Sequence, residues 1–443
     1  MTRSNVVFPA PFGPSNARIS PLATANDTSS ERPARTEAAE EVARVDTCRA
    51  SRRGGVMNDG YVSRFSCVHG RPFPARSPQN YGQPTRRATG RSVSPPFERG
   101  RPALRRSAEA RILGRVEQTR SRKLGVVIVG AGAMGRWHAR AIASAGGSLV
   151  AVVDPDLERA RTLAGRSLTL ASLDAAELDA AIDVIHVCSP LHTHAELVSR
   201  ALELGAHVVV EKPVATDAPS TARLLAAAAE RDLMLVPVHQ FVFQPGVQRL
   251  LAKRQALGTL VRCVFETSTA GAEKTGHDPD ELVTEILPHP LSLFARFAPV
   301  RLEELEWVVA RPERGELRAI AHTGGTSFEI AISSRARPTS ARFELVGTRA
   351  SAHADLFHGF AVVERGTATR FRKATRPFTL AGATFVRAGG NLTVRAIQGE
   401  IAYPGLRELV RRTYDAIRSG APQPIEAEET LSVALARDRI IRF

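Results

Sequence analysis

Lysine is nearly missing from this 443-residue chain: five lysines, at 123, 212, 253, 274 and 373, stand against fifty-five arginines. Cysteine is scarce too. The four cysteines, Cys48, Cys67, Cys188 and Cys263, have no metal-like spacing, which excludes a disulfide framework and a zinc cluster, and no metal is expected. No window approaches the roughly 18 consecutive apolar residues that span a bilayer, so no membrane partner is expected and a reducing cytoplasm fits.

What is abundant is positive charge, +15 formally, but it is unevenly placed. Residues 1–122 hold 22 Arg, no Lys and 10 acidic residues, a net +12, so the remainder is close to neutral. A basic surface shaped for nucleic acid is therefore not expected. Residues 1–122 are rich in Arg, Pro and Ser and show no apolar period, which predicts a disordered extension. A start codon set too early in a GC-rich gene accounts for such a segment; an Arg-rich tail and a targeting peptide are the alternatives.

Order is expected from Leu124. The stretch "LGVVIVGAGAMGRWHARAIASAG" is a short apolar run, then Gly130, Gly132 and Gly135 in the spacing G-x-G-x-x-G, then a helical stretch. In a strand–turn–helix, Gly130 makes the turn, Gly132 admits a pyrophosphate and Gly135 lets helix and strand pack closely. Ala133 and Met134 open the helix, whose N-terminus presents free N–H groups to the phosphates. The next strand, "SLVAVVD", ends in Asp154, placed to accept hydrogen bonds from ribose hydroxyls. Its carboxylate would repel a 2′-phosphate, which favours NAD, with NADP the alternative because Arg159 and Arg161 follow. The structural reading of Asp154, with the following Pro155 and Asp156, is a cap of the next helix, and both roles can coexist.

Strands and helices then alternate through "DVIHVCSP", "LHTHAELVSRALELG", "AHVVVEKP", "DAPSTARLLAAAAERD" and "LMLVPVHQF". This predicts an α/β, doubly wound parallel sheet, with a ligand beyond the strands' carboxyl ends, where Ser189, Pro190, Glu211, Lys212 and His239 fall. After a helix ending at Gly258, "VRCVFETST", "EELEWVVA", "TSFEIAISS", "ARFELVG", "ASAHADL" and "FAVVE" predict an open, mainly antiparallel sheet with one face on helices. Two helices close the chain, the first ended by Gly420. Three segments result: the extension 1–122, a Rossmann NAD(P)-binding domain 123–240, and an α+β substrate domain 241–443.

The glycine turn, the "CSP" turn before a histidine-bearing helix, and the "EKP" turn at 211–213 together resemble the Gfo/Idh/MocA oxidoreductases. The resemblance covers residues 123–443 and thins after Gln240. It implies an NAD(P)-dependent dehydrogenase or reductase acting on a sugar, cyclitol or sugar derivative, and a dimer or tetramer. It places Lys212 at the reacting oxygen, with Pro213 fixing its turn, and His194 as a brace of the cofactor-side turn. The family's Asp-x-x-x-His pair maps onto Glu285 and His289, a departure by one methylene. His239 stands where many members carry a Tyr or Asn beside the substrate.

Chemistry supports the lysine separately, because an ammonium stabilises negative charge developing on a carbinol oxygen. Pro288 and Pro290 are costly inside a helix and cheap in a first turn, so a helix is expected to restart near Leu287, with His289 as a base kept neutral by the helix end. His277 is a further substrate-pocket candidate, while His138, His186 and His207 read as structural and His192 as surface. A hydrolase or lyase with transient oxidation, or a dinucleotide-sensing binding protein, are the alternative functions.

Overall fold

The computed structural model describes residues 123–174, 182–269, 276, 278–366, 369–400 and 402–442. The expectations for residues 1–122 and for His277 lie outside them.

Six parallel strands form the first sheet: β1 (Leu124–Val129), β2 (Gly147–Val153), β3 (Leu168–Leu170), β4 (Val184–Val187), β5 (His207–Val210) and β6 (Leu235–Pro237). Their order is β3-β2-β1-β4-β5-β6. Helices α1 (Ala133–Ser144), α2 (Leu157–Ala164), α3 (His194–Glu203) and α4 (Ala218–Glu230) connect them. β1 and β4 are fully buried, which is why they read as unbroken apolar runs. Chain order reverses between β1 and β4, opening a crevice beyond their carboxyl ends. Asp217 caps α4 by accepting from the Ser220 N–H at 2.7 Å.

The expected single helix before Gly258 is two, α5 (Pro245–Ala252) and α6 (Arg254–Leu257), broken at Lys253. A seven-stranded sheet follows: β7 (Leu260–Ser268), β8 (Val308–Ala310), β9 (Glu316–Thr323), β10 (Thr326–Ser333), β11 (Ser340–Gly347), β12 (Ala350–Asp355) and β13 (Phe360–Arg365), in the order β13-β12-β11-β7-β10-β9-β8. It is mainly antiparallel, with β7 and β10 a parallel pair. In β10, Phe328, Ile330 and Ile332 point to the core while Ser327, Glu329 and Ala331 face away. The segment "EELEWVVA" begins at the end of a 3-10 turn, Leu302–Glu304, and only its last three residues, Val308–Ala310, pair as a strand. β9 went unread because its buried face carries only Leu317, Ala319 and Ala321, a weak apolar alternation.

Between β7 and β8 lie α7 (Pro279–Ile286) and α8 (Pro288–Ala295), separated at Leu287 as the two prolines required. After β13 comes an unforeseen 29-residue helix, α9 (Arg370–Gln398), masked in sequence by Pro377, Gly382, Gly389 and Gly390. The last helices, α10 (Leu406–Ser419) and α11 (Ala427–Ile441), return to the first sheet and pack on α1 and α4. Ala218 N–H donates to Asp438 at 2.8 Å, and Arg437 donates to the Thr216 carbonyl at 2.9 Å. One buried apolar cluster therefore runs from Leu124 to Ile440.

Candidate active site

The glycine turn is a steric device. Gly130 has φ +99°, and a side chain there would meet Cys188 and Ser189 main-chain atoms at 2.7 to 2.8 Å. A Cβ on Gly135 would come within 2.0 Å of the Gly130 carbonyl oxygen. Gly132 differs: a Cβ there meets nothing within 4 Å. It is also the N-cap of α1 and supplies no side-chain cap, so the helix end at Ala133 and Met134 opens onto unfilled space. Open space before an uncapped helix start suits a pyrophosphate.

Asp154 follows β2 and is buried at 7% exposure. Its carboxylate accepts from the Ala131 N–H at 2.8 Å and the Asp156 N–H at 2.9 Å, which ties the end of β2 to the glycine turn. The cap of α2 is Asp156, which accepts from Glu158 and Arg159 N–H groups, so capping is not the work of Asp154. Asp156 also pairs with Arg159 at 2.7 Å. Across the crevice, Ser189 and Thr193 hydroxyls meet at 2.7 Å below Pro190. His194 is buried and bridges two turns, its Nδ1 at 2.8 Å from the Pro213 carbonyl and its Nε2 at 2.9 Å from the Ser189 carbonyl.

Lys212, at the end of β5, is half-buried and donates from Nζ to the Glu285 main-chain carbonyl at 3.3 Å. That contact joins the first sheet to α7. His289, in the first turn of α8, is wholly buried, and its ring stacks on Phe241 with centroids 4.4 Å apart. Burial, then the Lys212 charge, then His239 hold the His289 imidazole well below its ordinary range. Desolvation, not the helix end, is thus the leading cause, a correction to the dipole argument. His239 is 2% exposed and is pushed down to about 3 by burial, Arg296 and Lys212. Its Nδ1 is buried without a hydrogen-bond partner among the described residues. Lys212, Glu285, His289 and His239 are therefore gathered at one place.

The sequence did not disclose the buried array behind Lys212. Glu211 faces His138 Nε2 at 3.1 Å, His138 Nδ1 faces His186 Nδ1 at 2.7 Å, and His186 Nε2 faces the Tyr414 hydroxyl at 2.9 Å. One set of tautomers satisfies every link: Tyr414 O–H donates to His186, His186 to His138, and His138 to Glu211. Burial pushes the Glu211 carboxyl up, but the His138 hydrogen bond and nearby charges, Lys212 among them, outweigh it and leave it below its ordinary value. The signal was thin. His138 and His186 are lone polar residues in buried helix and strand positions, and Tyr414 lies 228 residues from His186. His207 accepts from the Met234 N–H at 3.0 Å and is part of the scaffold. Among the described residues no cluster of three or more His, Cys, Asp or Glu could hold a metal ion, and no helix is long and apolar enough to cross a membrane.

Residues 124–239 match a family described as "Oxidoreductase family, NAD-binding Rossmann fold". Inositol 2-dehydrogenase 4 of Saccharopolyspora erythraea is 40% identical over 123 residues, 27% of this chain and 36% of that protein. UDP-N-acetylglucosamine 3-dehydrogenase of Acidithiobacillus ferrooxidans is 33% identical over 125 residues, 28% of this chain and 39% of that one. The chain thus spans under two-fifths of the length of these relatives. Among solved structures, the WlbA dehydrogenase from Bordetella pertussis in complex with NADH and UDP-GlcNAcA superposes with a TM-score of 0.58 at 16% identity, covering 73% of this chain and 95% of that one. That likeness establishes a shared fold.

Proposed function

We propose that this chain, whose residues 124–239 belong to the Gfo/Idh/MocA oxidoreductase family, moves a hydride between NAD and a secondary alcohol or ketone of a sugar, cyclitol or sugar derivative. Residues 123–240 serve the cofactor and residues 241–443 supply the substrate pocket. Relatives named for inositol and for UDP-N-acetylglucosamine support that substrate class. The observation that carries the reading is the gathering of Lys212, His289 and His239 beyond the sheet edge that also bears the open Gly132 turn.

NAD, held by the glycine turn and Asp154, would supply the hydride acceptor for the carbinol carbon. The residues handle the remaining charge and proton. Lys212 stabilises negative charge on the substrate oxygen as the C=O bond forms, and its hold on the Glu285 carbonyl fixes the approach of the amine. His289, neutral at pH 7 because it is desolvated, accepts the hydroxyl proton. Glu285 places that carbonyl, and His239 offers a buried ring nitrogen to a substrate hydroxyl. Gly130, Gly132, Ala133, Met134 and Gly135 receive the pyrophosphate, Asp154 the ribose, and Ser189, Pro190, His194 and Glu211 shape the crevice wall.

Lys212→Ala is the test. Turnover on a polyol and sugar panel should fall about 10²–10⁴-fold while NAD binding persists. A variant as active as the wild type overturns the role of Lys212, and product formed with no change in reduced-nicotinamide absorbance overturns net oxidation in favour of a lyase or hydrolase. Asp154→Ser should raise affinity for NADP relative to NAD; an unchanged ratio removes Asp154 from cofactor choice.

A further inference from the structure

We propose that Arg437, on the last helix α11, is a positioning residue of the active site: it holds the segment that follows Lys212 and balances the charge of Glu285. The inference rests on the catalytic reading above and gives a part in it to a helix that no motif marks.

Arg437 is only 5% exposed, and arginine is almost never so buried unless it is paired. Its Nη1 donates to the Thr216 carbonyl at 2.9 Å and to the Asp438 carboxylate at 3.3 Å, while Nε is buried with no hydrogen-bond partner among the described residues. Asp438 is engaged on its other side, where it accepts from the Ala218 N–H at 2.8 Å. His194 meets the Pro213 carbonyl at 2.8 Å, so the main chain from 213 to 218 is fixed at three points, two of them by α11. Lys212 is the residue just before this segment. Its backbone is therefore set from the α11 side while its amine rests on α7.

The guanidinium also stands in the field of α7. Burial pulls it below its ordinary value, and Asp438, Asp217 and Glu285, in that order, act the other way. Asp438 and Asp217 are already bonded to the N–H groups of Ala218 and Ser220. Glu285 comes from the helix whose carbonyl receives the Lys212 amine. The longer side chain that replaces the family's aspartate thus has its counter-charge on α11.

That balance bears on the base. The charged and titratable groups on the elements packed around His289 are Lys212 beyond β5, His239 beyond β6, Glu285 on α7, Arg296 of its own helix bonded to Glu429 of α11 at 3.0 Å, and Glu303 and Glu304 of the 3-10 turn, both paired with Arg301. Burial, Lys212 and His239 hold the imidazole down. An unbalanced carboxylate on Glu285, one helical turn before it, would favour the protonated ring instead. Arg437 offsets that charge and leaves the histidine free to accept a proton.

The test is kcat against pH at saturating NAD, on inositol or on another panel member that turns over. Arg437→Met should lower kcat about 10- to 100-fold, keep the wild-type affinity for NAD, and move the acidic limb of the profile up by about one pH unit. Arg437→Lys keeps the charge and should return the limb to its wild-type place. Arg437→Met/Glu285→Gln should return it too, with kcat still low. If Arg437→Met does not fold, Arg437→Met/Asp438→Asn leaves neither charge stranded and carries the same expectations. A merely structural Arg437 would lower kcat equally at every pH; that result, or a limb that Glu285→Gln fails to restore, overturns the inference. A wild type that turns over no panel member, or Lys212→Ala as active as the wild type, overturns the catalytic reading itself, whereas a Lys212-dependent enzyme with an unmoved limb overturns this inference alone.

Discussion

Lys212 donates to the main-chain carbonyl of Glu285 at 3.3 Å, so the amine is held by the backbone of α7 whatever side chain residue 285 carries. This accommodates glutamate where the family pattern has aspartate. Glu285→Gln should lower kcat by less than about tenfold, against about 10²–10⁴-fold for Lys212→Ala. Initial rates at saturating substrate decide, and equal losses would place the chemistry on the carboxylate.

The glycines of the turn should separate stability from cofactor binding. Gly135→Ala puts a methyl 2.0 Å from the Gly130 oxygen, which neither backbone segment can yield cheaply, and should cost about 1–3 kcal/mol of unfolding free energy. Gly132→Ala meets open space and should melt with the wild type while losing NAD affinity. Thermal melting with and without NAD reads both, and a destabilised Gly132→Ala would contradict the room that the fold leaves at that position.

The array behind Lys212 should be graded in cost. Tyr414→Phe leaves His186 Nε2 buried without its donor, worth about 1–3 kcal/mol. His138→Ala strands the buried Glu211 carboxylate and should cost about 3–5 kcal/mol. Urea denaturation measures both, and the reverse ranking would show that Glu211 does not depend on His138.

Buried neutral histidines predict acid sensitivity. His186, His239 and His289 have folded-state pKa values below 6.5, so under pH 6.5 the unfolded chain binds protons that the folded chain refuses. Stability should therefore fall as pH drops below 6.5, by up to about 1.4 kcal/mol per pH unit for each histidine until its folded pKa is reached, about 3 for His239. Glu429 opposes this. Burial pushes its carboxyl up to about 7 despite Arg296, so it contributes stability that is lost as pH rises from 4.5 to 7. Glu400, also raised by burial, and His358, raised by Asp355, act in the same direction as Glu429, while His207, lowered by burial, joins the other three histidines. The four histidines outweigh these opposing groups, so the melting temperature should rise between pH 4.5 and 6.5, and more steeply in Glu429→Gln. A flat profile would mean that the histidines are hydrated.

Most of the first sheet was legible because its cues are local. Glycine spacing and buried β-branched runs each act within a few residues, as at Gly130 to Gly135 and Val208 to Val210. The proline pair at 288 and 290 marked a helix start for the same reason. β9 and α9 were not legible. Alanines at 319 and 321 carry little hydrophobic contrast, and glycines in α9 oppose helix by intrinsic propensity.

By itself the sequence determined where the dinucleotide turn falls, which strand ends carry Asp154, Glu211 and Lys212, and that a histidine near 289 opens a helix. These follow from short-range sterics and periodicity, which need no knowledge of distant residues. Only the tertiary structure decided that Lys212 rests on a carbonyl 73 residues away, that desolvation keeps His289 neutral, and that Tyr414 closes a buried chain to Glu211. Each depends on which surfaces exclude water together, and that is set by packing between segments far apart in the chain.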